Sequence, residues 1–271
     1  MKLKLKWKII FCIILFILLI FISLKLGNIG LKVREYKVIN NKVSSFYGFK
    51  IVHFSDLYYG SINEKKLNKL VNMINNTKPD IVIFTGDLIK KDVKVDDSLI
   101  KLLTNYLSKI DSNFGKFYVN GENDTNVSSS ILDNSNFKCL DDTYEIIYGK
   151  NNKKMFISGI SIDKNLNNDI SENLNLNEYD YKILLSHYPD KVDDILKYNF
   201  DLILSGHSLN GQIRLPAVGS IITPNNSKKY YDSYYKIDRT DLYISNGIGN
   251  KSINMRLFNT PSFNLYRLVD K

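Results

Sequence analysis

Short apolar runs that end on an acid or an imidazole constrain this chain more than any other feature. Phe49 to Ser55 is hydrophobic and rich in β-branched residues, and it leads into Asp56. Asp80 to Thr85 leads into Gly86-Asp87, and Lys116 to Val119 into Gly121-Glu122. Tyr181 to Ser186 leads into His187, and Asp201 to Ser205 into Gly206-His207. Runs this short and this apolar suit strands buried on both faces. Between them, Asn63 to Asn76 carries Leu67, Leu70, Met73 and Ile74 at helical spacing. Leu99 to Ile110 reads as a second helix and Asp190 to Tyr198 as a short third. This alternation predicts βαβ units and an α/β domain. In such sheets the ligand-binding rim lies beyond the strand C-termini, where these acids and histidines fall.

From Gln212 onward the chain reads as short strands separated by Asn- and Gly-rich turns: Gln212–Leu215, Tyr235–Ile237, Leu242–Ser245, Asn254–Leu257 and Asn264–Leu268. The Asn-rich stretch 165–177 reads as a surface excursion. Strand packing is the expected role of the tyrosine-rich stretch Tyr230–Tyr235, with a pocket or membrane-facing rim as its rival. Cys139 has no partner for a disulfide within the domain and reads as a small buried side chain.

The net charge of +9 raises the question of a nucleic-acid partner. Its distribution argues against one. Residues 1–37 hold eight basic side chains against Glu35 alone, which accounts for seven of the nine charges. Lys and Arg so placed belong to membrane flanks, where they set orientation and meet anionic lipid. No basic run with interleaved aromatics follows.

Those charges flank an unbroken apolar run from Ile9 to Leu24. Sixteen helical residues span about 24 Å, a little short of a ~30 Å hydrocarbon core, and Lys8 and Lys25 can snorkel. Trp7 suits the interface. A cleaved signal peptide is the rival, but no small-x-small cleavage site follows Ser23. The expectation is a single-pass signal anchor with its N-terminus inside and the domain outside the cytoplasm. The expected division is an anchor over 1–28, a linker over 29–46 and one domain over 47–271.

Each strand-end residue is weak evidence alone. An Asp after a strand is often a helix N-cap, and a lone His is usually a satisfied structural residue. His53, inside a strand beside Val52 and Phe54, reads as packing. Together, however, Asp56, Asp87, Glu122, His187 and His207 form one convergent metal-competent set.

The blocks that carry this set resemble those of the calcineurin-like metallophosphoesterase family, in its membrane-anchored bacterial branch. Phe54-Ser55-Asp56-Leu57-Tyr58 resembles the family's Asp-x-His strand end, and Thr85-Gly86-Asp87 its Gly-Asp motif. Asn120-Gly121-Glu122-Asn123-Asp124 stands where Gly-Asn-His-Asp is expected. Ser186-His187 resembles the isolated His motif. Gly206-His207-Ser208-Leu209 resembles Gly-His-x-His, with Gly211-Gln212-Ile213-Arg214 continuing it. Order and spacing fit over residues 47–271. The resemblance implies a four-layer α/β/β/α sandwich and a site of two divalent metals bridged by a carboxylate, here Asp87.

The departures fall on the working residues. The first metal would use Asp56 and two imidazoles, but Tyr58 and Leu209 occupy those positions. Leu209 cannot ligate, and Tyr58 could do so only as a phenolate. The second metal would keep Asp87, Glu122, His187 and His207, a set that suits Mn, Fe or Zn. The catalytic His of the family maps to Asn123, which can donate a hydrogen bond to a phosphoryl oxygen but cannot protonate a leaving group. Asp56 would orient the attacking water. The resemblance thus implies at most one metal and weakened or altered phosphoester hydrolysis, with phosphoester or lipid-linked substrates. Two rivals stay open: a non-catalytic phosphate-binding or scaffolding module at the membrane, and an anchored domain that binds no metal.

Overall fold

The computed structural model describes residues 2–163 and 175–271. Most of the Asn-rich excursion lies outside the described residues. Among the described residues, fourteen strands form two six-stranded sheets and one small hairpin. The first sheet contains β1 (Lys32–Ile39), β2 (Lys50–Phe54), β3 (Ile81–Phe84), β4 (Gly115–Tyr118), β5 (Phe137–Cys139) and β14 (Ser262–Val269), in the order β1-β14-β2-β3-β4-β5. The second contains β6 (Tyr144–Tyr148), β7 (Lys154–Ile160), β8 (Tyr181–Ser186), β9 (Leu202–Ser205), β12 (Tyr234–Ile237) and β13 (Thr240–Ile244), in the order β12-β13-β9-β8-β7-β6. The hairpin pairs β10 (Arg214–Leu215) with β11 (Gly219–Ser220).

The apolar runs lack polar alternation because both faces of each strand are buried. Ile51, Ile81, Ile83 and Phe117 point inward and pack with Ile157, Ile183, Leu185 and Leu204 of the second sheet. Their neighbours Val52, Phe54, Val82 and Phe84 point outward. There they meet α2 (Glu64–Thr77), α3 (Asp97–Leu107) and α4 (Asn126–Asn134). Each helix starts where a side chain accepts from its first turn: Asn63 from the Lys66 amide, Asp96 from Leu99 and Thr125 from Ser128. The outer face of the second sheet packs on the one-turn α5 (Val192–Ile195) and on Phe200 and Tyr230.

The structure revises several expectations. The span 29–46, read as a linker, contains β1, which pairs with β14 through eight residues. Lys32, Arg34 and Lys37 are therefore part of the folded domain. They lie on an edge strand, where charge blocks further pairing. The expected helix 190–198 breaks into 3-10 turns around α5. Residues 254–257 form no strand and keep only an isolated bridge, Ile213 to Leu257. Tyr230 is buried, and the Tyr235 hydroxyl accepts from the amides of Tyr231 and Asp232, so most of that tyrosine stretch serves packing.

Helix α1 (Lys2–Leu26) stands apart from the sheets. Its stretch Lys4–Ile22 is long and apolar enough to cross a membrane and is nowhere buried against the domain.

Candidate metal centre

All the strand-end residues gather at one end of the two sheets. β2, β3 and β4 run parallel in register, so Asp56, Asp87 and Glu122 emerge side by side. β8 and β9 are also parallel and in register, delivering His187 and His207 from the opposite sheet. The two sheets are joined across the site. The His207 amide donates to Asp56 Oδ2 at 3.0 Å, and His187 Nδ1 donates to the Thr85 carbonyl at 2.6 Å.

The tight turns after the strands aim these side chains. Asp56, Tyr58, Asp87, His207 and Leu209 all have φ between 41° and 65°. The left-handed region is uncommon for any residue but glycine, and its concentration here marks a site whose backbone is held by its surroundings. Gly86 also has positive φ, and a Cβ there would strike the Gly121 backbone and come within 2.8 Å of His187 Nδ1. A Cβ on Gly206 would lie 2.9 Å from Asp56 Oδ2.

Asp87, His187 and His207 each offer one ligand atom, all within 4.8 Å of one another, and all three residues are buried. His187 Nε2 lies 3.4 Å from Asp87 Oδ2 and 3.3 Å from His207 Nδ1. The outer nitrogens decide the tautomers. His187 Nδ1 faces the Thr85 carbonyl and His207 Nε2 faces the Asn225 carbonyl, at 2.6 and 2.7 Å. A carbonyl only accepts, so both outer nitrogens carry hydrogen. In the neutral rings both inner nitrogens then present lone pairs to each other. That arrangement fits a shared cation, and metal-ligating histidines characteristically donate their second N–H to such carbonyls.

Without a cation, the electrostatics put a proton on His187 Nε2 in its place. Burial alone would raise the Asp87 carboxyl, but the His187 charge and donors from His187, Tyr58 and Asn123 hold it well below the usual range. Burial alone would depress His187, but the neighbouring Asp87 and Asp56 charges push it up to about 9. The pair therefore favours positive charge between its members. Burial, with the His187 and Lys251 charges, pushes His207 down to about 3, which keeps its imidazole neutral and able to ligate. Asp56 is pushed up to about 7, mainly by burial. Its Oδ2 accepts from Ser55 and from His207 N, while its buried Oδ1 accepts no hydrogen bond among the described residues.

Of the remaining site residues, Glu122 and Asn123 are placed differently from the sequence expectation, while Tyr58, Leu209 and His53 stand as expected. Glu122 is not in the close group. One of its oxygens pairs with Lys251 Nζ and the other accepts from the Tyr188 hydroxyl at 3.1 Å. The ammonium competes with any cation for that carboxylate. Asn123 spends its amide on Asp87, with its backbone N–H on Oδ1 at 2.9 Å and Nδ2 on Oδ2 at 3.0 Å. Tyr58 is no phenolate. Burial, with the Asp87 and Asp56 charges, pushes its phenol far up, and its hydroxyl donates to Asp87 Oδ2. Leu209 is buried and packs against Gly247, so a hydrocarbon fills the position of the second imidazole. His53 is a satisfied core residue, between Thr85 Oγ1 at 2.9 Å and the Tyr266 hydroxyl at 3.3 Å.

Sequence reasoning missed the supporting residues. Asp124 accepts from the amides of Asp87, Leu88 and Gly121 at 2.7–2.8 Å and so clamps the two loops together. Its place at the end of the Asn120–Asp124 block was the available signal. Lys251 and Arg256 carried none. The fully buried Arg256 guanidinium binds the carbonyls of Asn246, Gly247 and Gly249 and the Asn250 side chain. The loop so held is pinned to Asp56 through Gly249 N, 2.9 Å from the Asp56 carbonyl, and it carries Lys251 to the mouth.

Comparison with known proteins agrees with this architecture. Residues 49–211 match the family described as calcineurin-like phosphoesterase. The chain is 31% identical over 232 residues to the uncharacterized metallophosphoesterase YkuE of Bacillus subtilis, covering 82% of this chain and 80% of that one. It is 23% identical to a transmembrane protein with metallophosphoesterase domain from Danio rerio, over 79% of this chain and 51% of that protein. It is also 23% identical to the UDP-2,3-diacylglucosamine pyrophosphatase LpxG of Chlamydia muridarum, over 84% of this chain and 86% of the other. With the matched domain covering all the strand-end blocks, the chain belongs to the calcineurin-like metallophosphoesterase family.

Proposed function

We propose that this protein is a membrane-anchored phosphoester hydrolase that works with one divalent cation and turns over slowly. The observation that carries this reading is the pair of inner histidine nitrogens, 3.3 Å apart, whose outer nitrogens are both committed to carbonyls. Asp87, His187 and His207 would hold the cation, with Glu122 as a fourth ligand once released from Lys251. Mn, Fe or Zn suits two imidazoles and carboxylates. When bound, the cation supplies Lewis-acid activation of water and of a phosphoryl oxygen.

The chain's own residues supply the rest. Asp56, raised to about 7, is poised to accept or hold a proton near neutrality. Lys251 lines the cavity beside His207 and can meet a substrate phosphate. Asn123 fixes Asp87 and, on releasing Nδ2, can donate to a phosphoryl oxygen. No imidazole stands where a leaving oxygen would be protonated, and general acid–base assistance typically contributes about 10²–10⁴-fold. Slow turnover follows. Helix α1 would hold the domain at the bilayer, N-terminus inside and the site outside the cytoplasm. Lipid-linked phosphoesters are then the favoured substrates, as the name of the LpxG relative suggests.

A second reading, a phosphate-binding module without turnover, draws support from Tyr58 and Leu209, which fill the positions of two ligands with a hydroxyl and a hydrocarbon. Elemental analysis of protein purified without chelator, followed by assay on an aryl phosphodiester with Mn²⁺, tests both. One metal per chain with slow, chelator-sensitive hydrolysis supports the first reading. One metal without hydrolysis favours the second, and a metal-free protein removes both.

A further inference from the structure

The mouth of the site has an apolar wall. A cavity of about 200 Å³ is lined by His207, Leu209, Ile213, Ile222, Lys251 and Ile253. Ile222 and Ile253 are 60% and 51% exposed, although both line this opening. Val218 and Phe258 extend the same surface around the neighbouring hollow and are more exposed still. These side chains come from two loops joined by backbone hydrogen bonds, Arg214 N to Leu257 O at 3.0 Å and Leu257 N to Gln212 O at 3.3 Å. Scattered exposed apolar residues need no explanation, but a contiguous group rimming a polar site marks an interaction surface.

The end of α1 is fastened beside this wall. Asn28, two residues beyond the helix, donates through Nδ2 to the Asn254 carbonyl at 2.8 Å and to Asn254 Oδ1 at 3.1 Å. Asn250 Nδ2 donates to Asn28 Oδ1 at 3.0 Å. Asn254 adjoins Ile253 in the chain, so the anchor is fastened to the loop that forms the apolar wall. From Ile22, the end of the apolar span, to Leu26 the helix rises only about 6 Å. The headgroup layer is itself roughly 5–8 Å thick on each side of the hydrocarbon core. The fastening therefore sits near the outer limit of the headgroups. The exposed Phe114, which precedes β4, lies at the other end of the sheet.

We propose that the rim formed by Ile222 and Ile253 rests in the headgroup layer of the bilayer that holds α1, so that the mouth beside His207 opens onto the membrane surface. This rests on the anchoring proposed above and needs no turnover at the site.

Quenching of tryptophan fluorescence by brominated phosphatidylcholine in nanodiscs holding the full chain tests it. The sequence contains one Trp, Trp7, so a W7F background is silent. Single tryptophans are then introduced as F16W in α1, I222W and I253W on the rim, and F114W at the far end. All four replace exposed side chains. We expect strong quenching at 16, and quenching at 222 and 253 at least about twofold above that at 114, as for side chains seated in the interface. Quenching at 16 with 222 and 253 no higher than 114 overturns the docking while leaving the anchor in place. It would assign the rim to a protein partner or to solvent. Absence of quenching at 16 overturns the anchoring and the docking together.

Discussion

The Tyr58 hydroxyl donates to Asp87 Oδ2, the carboxylate oxygen that also accepts from Asn123 Nδ2 and lies 3.4 Å from His187 Nε2. In the resemblance to two-metal enzymes Asp87 is the bridging carboxylate. Here a phenol and an amide share the oxygen of it that faces the histidine pair.

Tyr58→Phe removes a neutral donor that competes for Asp87. Cation affinity should rise by about tenfold, since a hydrogen bond to a charged group contributes roughly 1.5–3 kcal/mol. Stability without added metal should fall by about 1–2 kcal/mol for the same reason. Mn²⁺ titration calorimetry and urea denaturation measure the two effects. An unchanged or weaker Mn²⁺ affinity would count against competition at Asp87.

Tyr58→His combined with Leu209→His should create a second binding position beside Asp56, whose buried Oδ1 has no hydrogen-bond partner among the described residues. Both positions have positive φ, a conformation that His tolerates better than bulky or branched residues. Elemental analysis should rise from one metal per chain toward two. Adding Asn123→His should then raise hydrolysis of an aryl phosphodiester, by about 10²-fold where acid–base assistance is restored. A stoichiometry that stays at one in the folded double variant would show that the imidazoles do not converge on Asp56.

Lys251→Met frees Glu122 from its ion pair and removes a positive charge that depresses His207. Mn²⁺ should bind about tenfold more tightly, within the range seen for residues that tune metal ligands. Adding Glu122→Gln should cancel the gain. If Glu122→Gln in the Lys251→Met background leaves the affinity unchanged, Glu122 is not a ligand.

His53 gives the fold an acid-sensitive limb. Burial pushes its imidazole down to about 3 from 6.5. Between those values the unfolded chain binds the proton and the folded chain does not. Stability contributed by the neutral ring is therefore present above pH 6.5 and lost as the pH falls toward 3, by on the order of 4 kcal/mol. His53→Phe keeps an aromatic ring in the core but forfeits the bond to Thr85 Oγ1, so it should be about 1 kcal/mol less stable at pH 7. Its denaturation free energy should also fall less steeply between pH 6 and 4. Parallel slopes for the two proteins would assign the acid limb to other groups.

Much of the site could be read along the chain. The apolar runs ending at Asp56, Asp87, His187 and His207 place these residues at strand ends, because burial on both faces of a strand leaves a local signature. β1 escaped the reading because an exposed edge strand carries lysines and arginines that also suit a membrane flank. β6 was missed because its apolar residues are spread among polar ones on a second edge, and β7 because Ser158 and Gly159 interrupt its apolar run.

The chemistry of the side chains was therefore settled by the sequence alone: which strand ends carry imidazole or carboxylate, and that Tyr58, Asn123 and Leu209 cannot do the work of histidine. Their pairing was settled only in three dimensions. Glu122 turns to Lys251, which lies far along the chain, and His187 takes its tautomer from the Thr85 carbonyl, 102 residues away. Periodicity records which face of an element is buried. It holds no record of which distant carbonyl, ammonium or phenol meets a side chain once the chain has turned, and such contacts set its charge and direction.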